Sequence, residues 1–462
     1  MYLQNILLCL IASLVLSTCN RVYVHPFNLF AYNKSECEHI QTQNDTIEKT
    51  FLPISIETEI TSEERIWKVK TYPGKHRFGY LESFLTLLIN DLGLRAFEAL
   101  KGIHTSNTIL LPSTNFYWSM VSFYLGASGE TAISLQKLLG FEHPSGSTSC
   151  TSQVNGLKIM SKLKTIDSAL FSKNGSISVW RTVCIFVSPG VPLSENFIHD
   201  LGPSADHLYT RAVNFTNSAI AVHLINEFLD TQLPKKMKSG LTSFDEASNV
   251  MYISHVYYKG KVTKSFLIPE FQPFWIKPNR QISVPMISAS GIFQFKDDSI
   301  KNQLVLKIYL GENDFLLLIL PTNGNTIENI ESSITSYNWQ TLNWLNGLSN
   351  RYLHLTIPKL EIECSYDAKD LLTYMNLSSL LQKTAHFGKM SNEQINIGKI
   401  LNIVHFELED SGENEANYMS EKNKGQEPLE VNFNKPFIFV FFEGTTKALI
   451  LLGRIVNPLN IN

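Results

Sequence analysis

Twelve histidines and six cysteines are the side chains of this 462-residue chain best suited to ligate a metal or attack a substrate, and their spacing favours neither chemistry. No two histidines stand at metal-ligand spacing, and no cysteines form a CxxC pair, the arrangement that zinc and dithiol redox sites use. GxSxG, HExxH, GxGxxG and Walker-type loops are absent, so the nucleophile elbows, metalloprotease helices and phosphate cradles those motifs build are not expected. Carboxylates are plentiful but unclustered. The residues predict no catalytic site, no cofactor and no metal, and a protein that is not an enzyme.

Covalent chemistry is expected instead at thiols and asparagine amides, and its setting is given by the N-terminus. Ile6–Leu16 is a short apolar run followed by Ser17-Thr18-Cys19. The run is too short to span a bilayer, and small residues follow it as at a secretory cleavage site. Met1–Asn5 holds no Lys or Arg, so the α-amino group is the only positive charge there. The cut is expected after Cys19, giving a secreted, extracellular protein. Four cysteines then remain, Cys37, Cys150, Cys184 and Cys364. Secretion permits disulfides, but spacing does not choose among the three possible pairings. Cys184 sits in the apolar run 183–187 and Cys364 in the alternating run 360–366, both strand-like, whereas Cys37 and Cys150 have polar, loop-like surroundings. Those two are the expected bridge. Asn-x-Ser/Thr sequons occur at Asn33, Asn44, Asn174, Asn214 and Asn376. Chance supplies about as many in a chain this rich in Asn, Ser and Thr, so they are no evidence of secretion. Given secretion, Asn33 and Asn44 have the most exposed-reading flanks.

The elements that must carry these residues fall into three parts: a leader (1–19), an extension of limited structure (20–75) and a folded domain (76–462). Hydrophobic residues make up 44% and charged residues 18%, enough for a core built without metals or many disulfides. The net charge of −3 comes with Lys and Arg spread along the chain, which excludes an electrostatic nucleic-acid binder. No second apolar stretch approaches membrane length, so a soluble monomer is expected. Helical spacing runs over 84–97, 116–125 (closed by Gly126) and 131–139 (stopped at Gly140). Strand patterns run over 250–258, 304–309, 315–320, 353–362, 437–442 and 448–452, the last two joined by the hairpin-like Glu443–Lys447. Helices early and strands late predict an α+β domain. The polar stretch between Glu407 and Glu430 reads as a long functional or disordered loop outside the core.

Six segments, taken in order, carry a resemblance. They are Asn107–Pro112 followed by Gly126–Ala132, Asn249–Lys261, Val284-Pro285-Met286, Glu430–Phe437, and Gly453–Pro458. Together they resemble the serpin family over about residues 76–462. The resemblance implies the serpin fold: helices packed on a large mixed main sheet, two smaller sheets and an exposed reactive-centre-like loop. It also implies a test of inhibition, because inhibitory serpins insert the cleaved loop into the main sheet as a new strand. Alternate residues of a strand face one side. Aligned on Gly412, the inward set here is Glu413, Glu415 and Asn417, and burying unpaired carboxylates costs several kcal/mol. A one-residue slip would bring Tyr418 inward and lose the register. The family's shutter serines fall at Leu111 and Thr114, its shutter histidine at Asn402, and its tryptophan after the third strand's turn at Val262. A serpin with poor loop insertion is expected.

Immediately after the expected leader comes Asn20-Arg21-Val22-Tyr23-Val24-His25-Pro26-Phe27-Asn28-Leu29. This decapeptide resembles the angiotensin peptide hormones, with Asn first and Val fifth in a non-mammalian style. The resemblance implies cleavage at Leu29-Phe30 by the aspartic protease renin, then removal of Asn28-Leu29 by converting enzyme cutting after Phe27. Pro26 then stops further trimming and biases His25 towards extended geometry. Receptor contacts are assigned to Arg21, Tyr23, His25 and the Phe27 carboxylate. A flexible tail is expected to present the bond, tethered by a Cys37–Cys150 bridge that has a family counterpart and shadowed by a glycan on Asn33. The expected function is a secreted precursor of a vasoactive peptide that regulates blood pressure and fluid balance. The alternatives are a protease-inhibitory serpin or a carrier serpin.

Overall fold

The computed structural model describes residues 26–42, 49–60, 79–105, 107–143, 149–170, 177–238, 240–311, 313–334, 344–378, 382, 384–413 and 427–459. Runs of β-branched and aromatic residues, most of them in the second half, build two sheet systems. The main sheet has five strands in the order Leu360–Asp367, Ile397–Asp410, Val250–Val262, Ile177–Val187, His207–Ala212. At its centre Val250–Val262 runs parallel to Ile397–Asp410, paired from Val250 opposite Ile397 to Val262 opposite Asp410. On its other edge it pairs antiparallel with Ile177–Val187. Side chains of a strand alternate between faces. Val250, Tyr252, Val256 and Tyr258 enter the large core, while Met251 and Ile253 pack with Phe186, Ile225 and Leu229 beneath the Ser218–Gln232 helix. Burial on both faces is why this strand reads as a nearly unbroken apolar run.

The second system is one hydrogen-bonded path: Leu429–Asn432, Ser349–Pro358, Met286–Asp298, Gln303–Tyr309, Phe315–Pro321, Phe437–Phe442, Leu449–Ile455, Ile109–Pro112, with Ser265–Leu267 paired alongside Met286–Asp298. The Ser113–Gly126 helix lies in the core, with Leu125 its one residue outside the buried class, as befits a helix apolar nearly all round. The longer Tyr80–Ile103 helix packs against it.

The α+β architecture is as expected, and three local readings change. The run 353–362 is two strands in different sheets, Ser349–Pro358 and Leu360–Asp367. Pro358 has no N–H to continue a ladder, and Lys359 N–H turns away to donate to Pro285 O. The polar stretch begins later than its composition indicated. Glu407–Asp410 completes a main-sheet strand, with Glu407 buried and accepting the Tyr257 hydroxyl at 2.7 Å. The extension is also more ordered than expected. Pro26–Leu29 forms a 3-10 turn, Lys34–Thr42 an α-helix, Thr50–Phe51 pairs with Leu193–Ser194, and Ser55 bridges Ala212.

Candidate functional site

Of the decapeptide, Pro26–Leu29 lies among the described residues and Asn20–His25 lie outside them. The 3-10 turn closes with Phe30 N–H and Ala31 N–H both donating to Phe27 O, at 3.1 and 3.0 Å. Residues three apart on such a turn share a side, so Phe27 and Phe30 face the body together. Phe30 is fully buried, its ring 5.2 Å from Phe141 and 6.4 Å from Phe84. Phe27 is 2% exposed and meets His143 edge-on at 4.8 Å. Asn28 is exposed and Leu29 half-buried. Immediately downstream Phe30 O accepts Asn155 N–H at 2.7 Å, Tyr32 N–H donates to Gln153 O at 3.1 Å, and Ala31 bridges Val154 antiparallel.

The expectation of a loose tail around Leu29-Phe30 is therefore overturned. Full burial of a phenylalanine stabilises by about 1.5–3 kcal/mol, so the two rings offset part of the roughly 1–2 kcal/mol per residue that ordering the tail backbone costs, and the backbone hydrogen bonds of residues 30–32 add to them. Burial also pushes the Tyr32 phenol up to about 12, with Cys150, Glu36 and Asp200 adding to it, so that residue stays neutral at any physiological pH.

Asn33 starts the Lys34–Thr42 helix. Its Oδ1 accepts Glu36 N–H and Glu36 Oε2 accepts Asn33 N–H, both at 2.8 Å, a reciprocal capping box. That helix turns Cys37 inward, 5% exposed, against the Cys150 thiol. Burial raises the Cys150 thiol's pKa, and the hydrogen bond with Cys37 raises it further. Both are thiols in this structure, so the pair that context singled out is brought together. Cys184 and Cys364 are not: Cys184 lies with the cluster under the Ser218–Gln232 helix, and Cys364 packs towards the large core on the other face.

Asn33, Asn214 and Asn376 are exposed, whereas Asn44 and Asn174 lie outside the described residues. Of the loop hinge, Gly412 takes φ +77° and Glu413 is exposed, while Glu415 and Asn417 lie outside the described residues. The loop stem is tied down. Ser265 N–H donates to Ser411 Oγ at 2.9 Å, Ser411 N–H returns a bond to Ser265 Oγ at 3.1 Å, and Glu413 N–H donates to Ser265 O at 3.2 Å. At the shutter positions Leu111 is buried, the Thr114 hydroxyl donates to Leu449 O, and fully buried Asn402 accepts the Ser119 hydroxyl at 3.0 Å. Val262 is also fully buried.

Several residues around these positions were not singled out by sequence. Phe84 and Phe141 receive Phe30, Tyr124 and Gln136 hold residues 152–154, and Arg181 joins Asp167 at 2.6 Å and Asn115 at 2.9 Å beneath the main sheet. In the sequence Phe84, Tyr124 and Gln136 fall within helical patterns that say nothing of their partners, and nothing marks Phe141, Arg181, Asp167 or Asn115. Phe84 has a second role as one wall of a cavity of about 490 Å³, lined also by Tyr80, Asn90, Trp344, Phe442 and Lys447, a space suited to a small, mostly apolar molecule. Among the described residues no cluster of three or more His, Cys, Asp or Glu could hold a metal ion, and no helix is long and apolar enough to cross a membrane.

A family model described as "Serpin (serine protease inhibitor)" matches residues 88–458. The chain belongs to the serpin family. This serpin is 33% identical to angiotensinogen of Bos taurus over 98% of its own length and 97% of that protein. It is 31% identical to angiotensinogen of Homo sapiens, covering 99% and 98%. Corticosteroid-binding globulin of Homo sapiens is 24% identical over 80% of the chain and 89% of that protein. Among solved structures, human thyroxine-binding globulin superposes with a TM-score of 0.68 at 16% identity, covering 82% of this chain and 99% of that one. Mouse protein-Z dependent protease inhibitor gives 0.66 at 20% identity, covering 82% and 98%. The last two establish the fold alone.

Proposed function

We propose that this serpin is a secreted precursor of an angiotensin-type vasoactive peptide, released when renin cuts Leu29-Phe30 and converting enzyme then cuts Phe27-Asn28. One observation carries the reading: the decapeptide Asn20–Leu29 stands ahead of a body similar to angiotensinogens over 98% of the chain. That similarity extends past the 88–458 family match, so it takes in most of the extension as well as the body.

Renin, as an aspartic protease, binds its substrate extended, and apolar Leu29 and Phe30 suit apolar pockets on either side of the cut. The 3-10 turn is not that conformation, so the tail must unfold locally before cleavage. Exposing the Phe30 ring costs about 1.5–3 kcal/mol, which leaves roughly a tenth to a hundredth of molecules open on that account alone. The body thus sets the rate of release. A Cys37–Cys150 bridge would hold the docked helix in place. A glycan on Asn33, four residues beyond Leu29, would add bulk beside the cut. After trimming to Asn20–Phe27, Arg21, Tyr23, His25 and the new Phe27 carboxylate are the receptor contacts. Carboxylates at Glu413 and Glu415 and the pinned loop stem argue against protease inhibition. The peptide regulates blood pressure and fluid balance, and the body acts as a monomeric extracellular carrier of it.

The test is digestion of the purified protein with renin and, separately, with trypsin-like proteases. Mass spectrometry is expected to find Asn20–Leu29 after renin, and gels to find no denaturant-resistant protease complex. A stable complex without peptide release would instead identify an inhibitory serpin.

A further inference from the structure

We infer that Gln136 and Tyr124 are positioning residues for cleavage at Leu29-Phe30: they hold the short backbone edge on which the tail docks, and so set how often the bond is exposed. The inference rests on the cleavage reading above and adds what regulates it. The edge is Ser152–Asn155, between the Cys150–Ser152 turn and the Gly156–Ala169 helix. Successive backbone groups of an extended segment point to opposite sides. On the body side, Val154 N–H donates to Gln136 Oε1 at 3.0 Å and Val154 O accepts the Tyr124 hydroxyl at 2.7 Å. Gln136 Nε2 also donates to Ser152 O at 3.0 Å. On the tail side, Gln153 O accepts Tyr32 N–H and Asn155 N–H donates to Phe30 O, with Ala31 opposite Val154.

One side of the edge is thus held by two side chains from two core helices, and the other side receives the residue after the scissile bond and its second neighbour. Gln136 and Tyr124 are 4% and 6% exposed, and Val154 is fully buried. A side-chain amide bonded by both its oxygen and its nitrogen to Val154 and Ser152 takes the place of a neighbouring strand. Without it, Val154 N–H and Ser152 O lose their partners in a buried site, and the edge that receives Phe30 and Tyr32 loosens. Merely structural core polar groups would affect the stability of the whole fold. These two are bonded to the segment that pairs with residues 30–32, so their effect is expected at the tail first.

The test uses full-length Gln136→Leu and Tyr124→Phe in reducing buffer, which keeps Cys37 and Cys150 as thiols. Tyr124→Phe removes one oxygen and keeps the ring, so it decides the matter if Gln136→Leu does not fold. Hydrogen exchange without protease should show the Tyr32 and Asn155 amides exchanging about tenfold faster, with Val250–Val262 amides unchanged. With renin, the apparent KM should fall about tenfold at unchanged kcat, because only the open fraction binds and the bond cut is the same. A synthetic peptide spanning residues 20–34 separates the two ideas. If renin leaves that peptide uncut, the cleavage reading fails and exchange alone judges the positioning role. If the peptide is cut while both variants exchange and turn over like wild type, the positioning role is wrong. Uniform faster exchange with unchanged KM would also overturn it.

Discussion

Phe30 is at once an apolar flank of the proposed cleavage bond and a buried side chain between Phe84 and Phe141. The apolar character that suits it to a protease pocket is what draws it into the body. Residue chemistry can also be read at a site unrelated to the tail. Asp314 is 3% exposed and accepts Gly444 N–H at 2.9 Å. Burial pushes its carboxyl up to about 6, against a reference of 3.8; the Gly444 hydrogen bond opposes this and nearby Glu443 adds to it. A carboxyl raised on folding contributes stability that is present below pH 3.8 and is lost as pH rises through 6. Asp314→Asn should therefore be more stable than wild type at pH 7.5, by about 3 kcal/mol, and no more stable at pH 3.5. Urea unfolding at the two pH values measures this, and an equal difference at both would rule it out.

At the scale of an element, the Lys34–Thr42 helix links two expectations, the glycan and the cysteine pair, to the docked tail. Asn33 is both its cap and a sequon asparagine. Removing the sequon through Asn33→Gln therefore also removes the cap, at about 1 kcal/mol of helix stability. Ser35→Ala abolishes the same sequon and leaves the capping box intact. Amide exchange within the helix should quicken about fivefold in Asn33→Gln and stay at the wild-type rate in Ser35→Ala. If both variants quicken alike, the cap is not what holds the helix. Any change in renin cleavage common to both variants then belongs to the glycan.

At the scale of the molecule, the closed seam of the main sheet bears on inhibition. Val250–Val262 and Ile397–Asp410 pair over their whole length, and polar contacts stitch the upper end. Lys259 lies 3.6 Å from Glu407 and 2.9 Å from Glu409, and the Tyr257 hydroxyl donates to Glu407 at 2.7 Å. A loop strand could enter only by breaking these contacts while burying Glu413. A protein cut once between residues 414 and 428 should melt within about 2 °C of the intact one, the shift that about 1 kcal/mol produces in a large domain. A strong rise in Tm after that cut would mean the loop does insert.

Much of the fold was legible before any coordinates. The Tyr80–Ile103, Ser113–Gly126 and Gly129–Leu138 helices extend the 84–97, 116–125 and 131–139 patterns, because periodicity reports which face is buried. Cys37 and Cys150, singled out by the polarity of their surroundings, come near each other as thiols. Two things were not legible. The break at Pro358 between two sheets depends on where the next strand finds partners, and local composition carries no record of that. The state of Leu29-Phe30 was misread, because a short polar extension gives no sign that Phe27 and Phe30 will find Phe84, Phe141 and His143. By itself the sequence determined the serpin body and the decapeptide pattern ahead of it, and it raised the expectation of a poorly insertable loop. Only the tertiary structure decided that the bond between them is folded away, since burial arises from residues more than fifty positions apart meeting in space, and local pattern cannot encode that meeting.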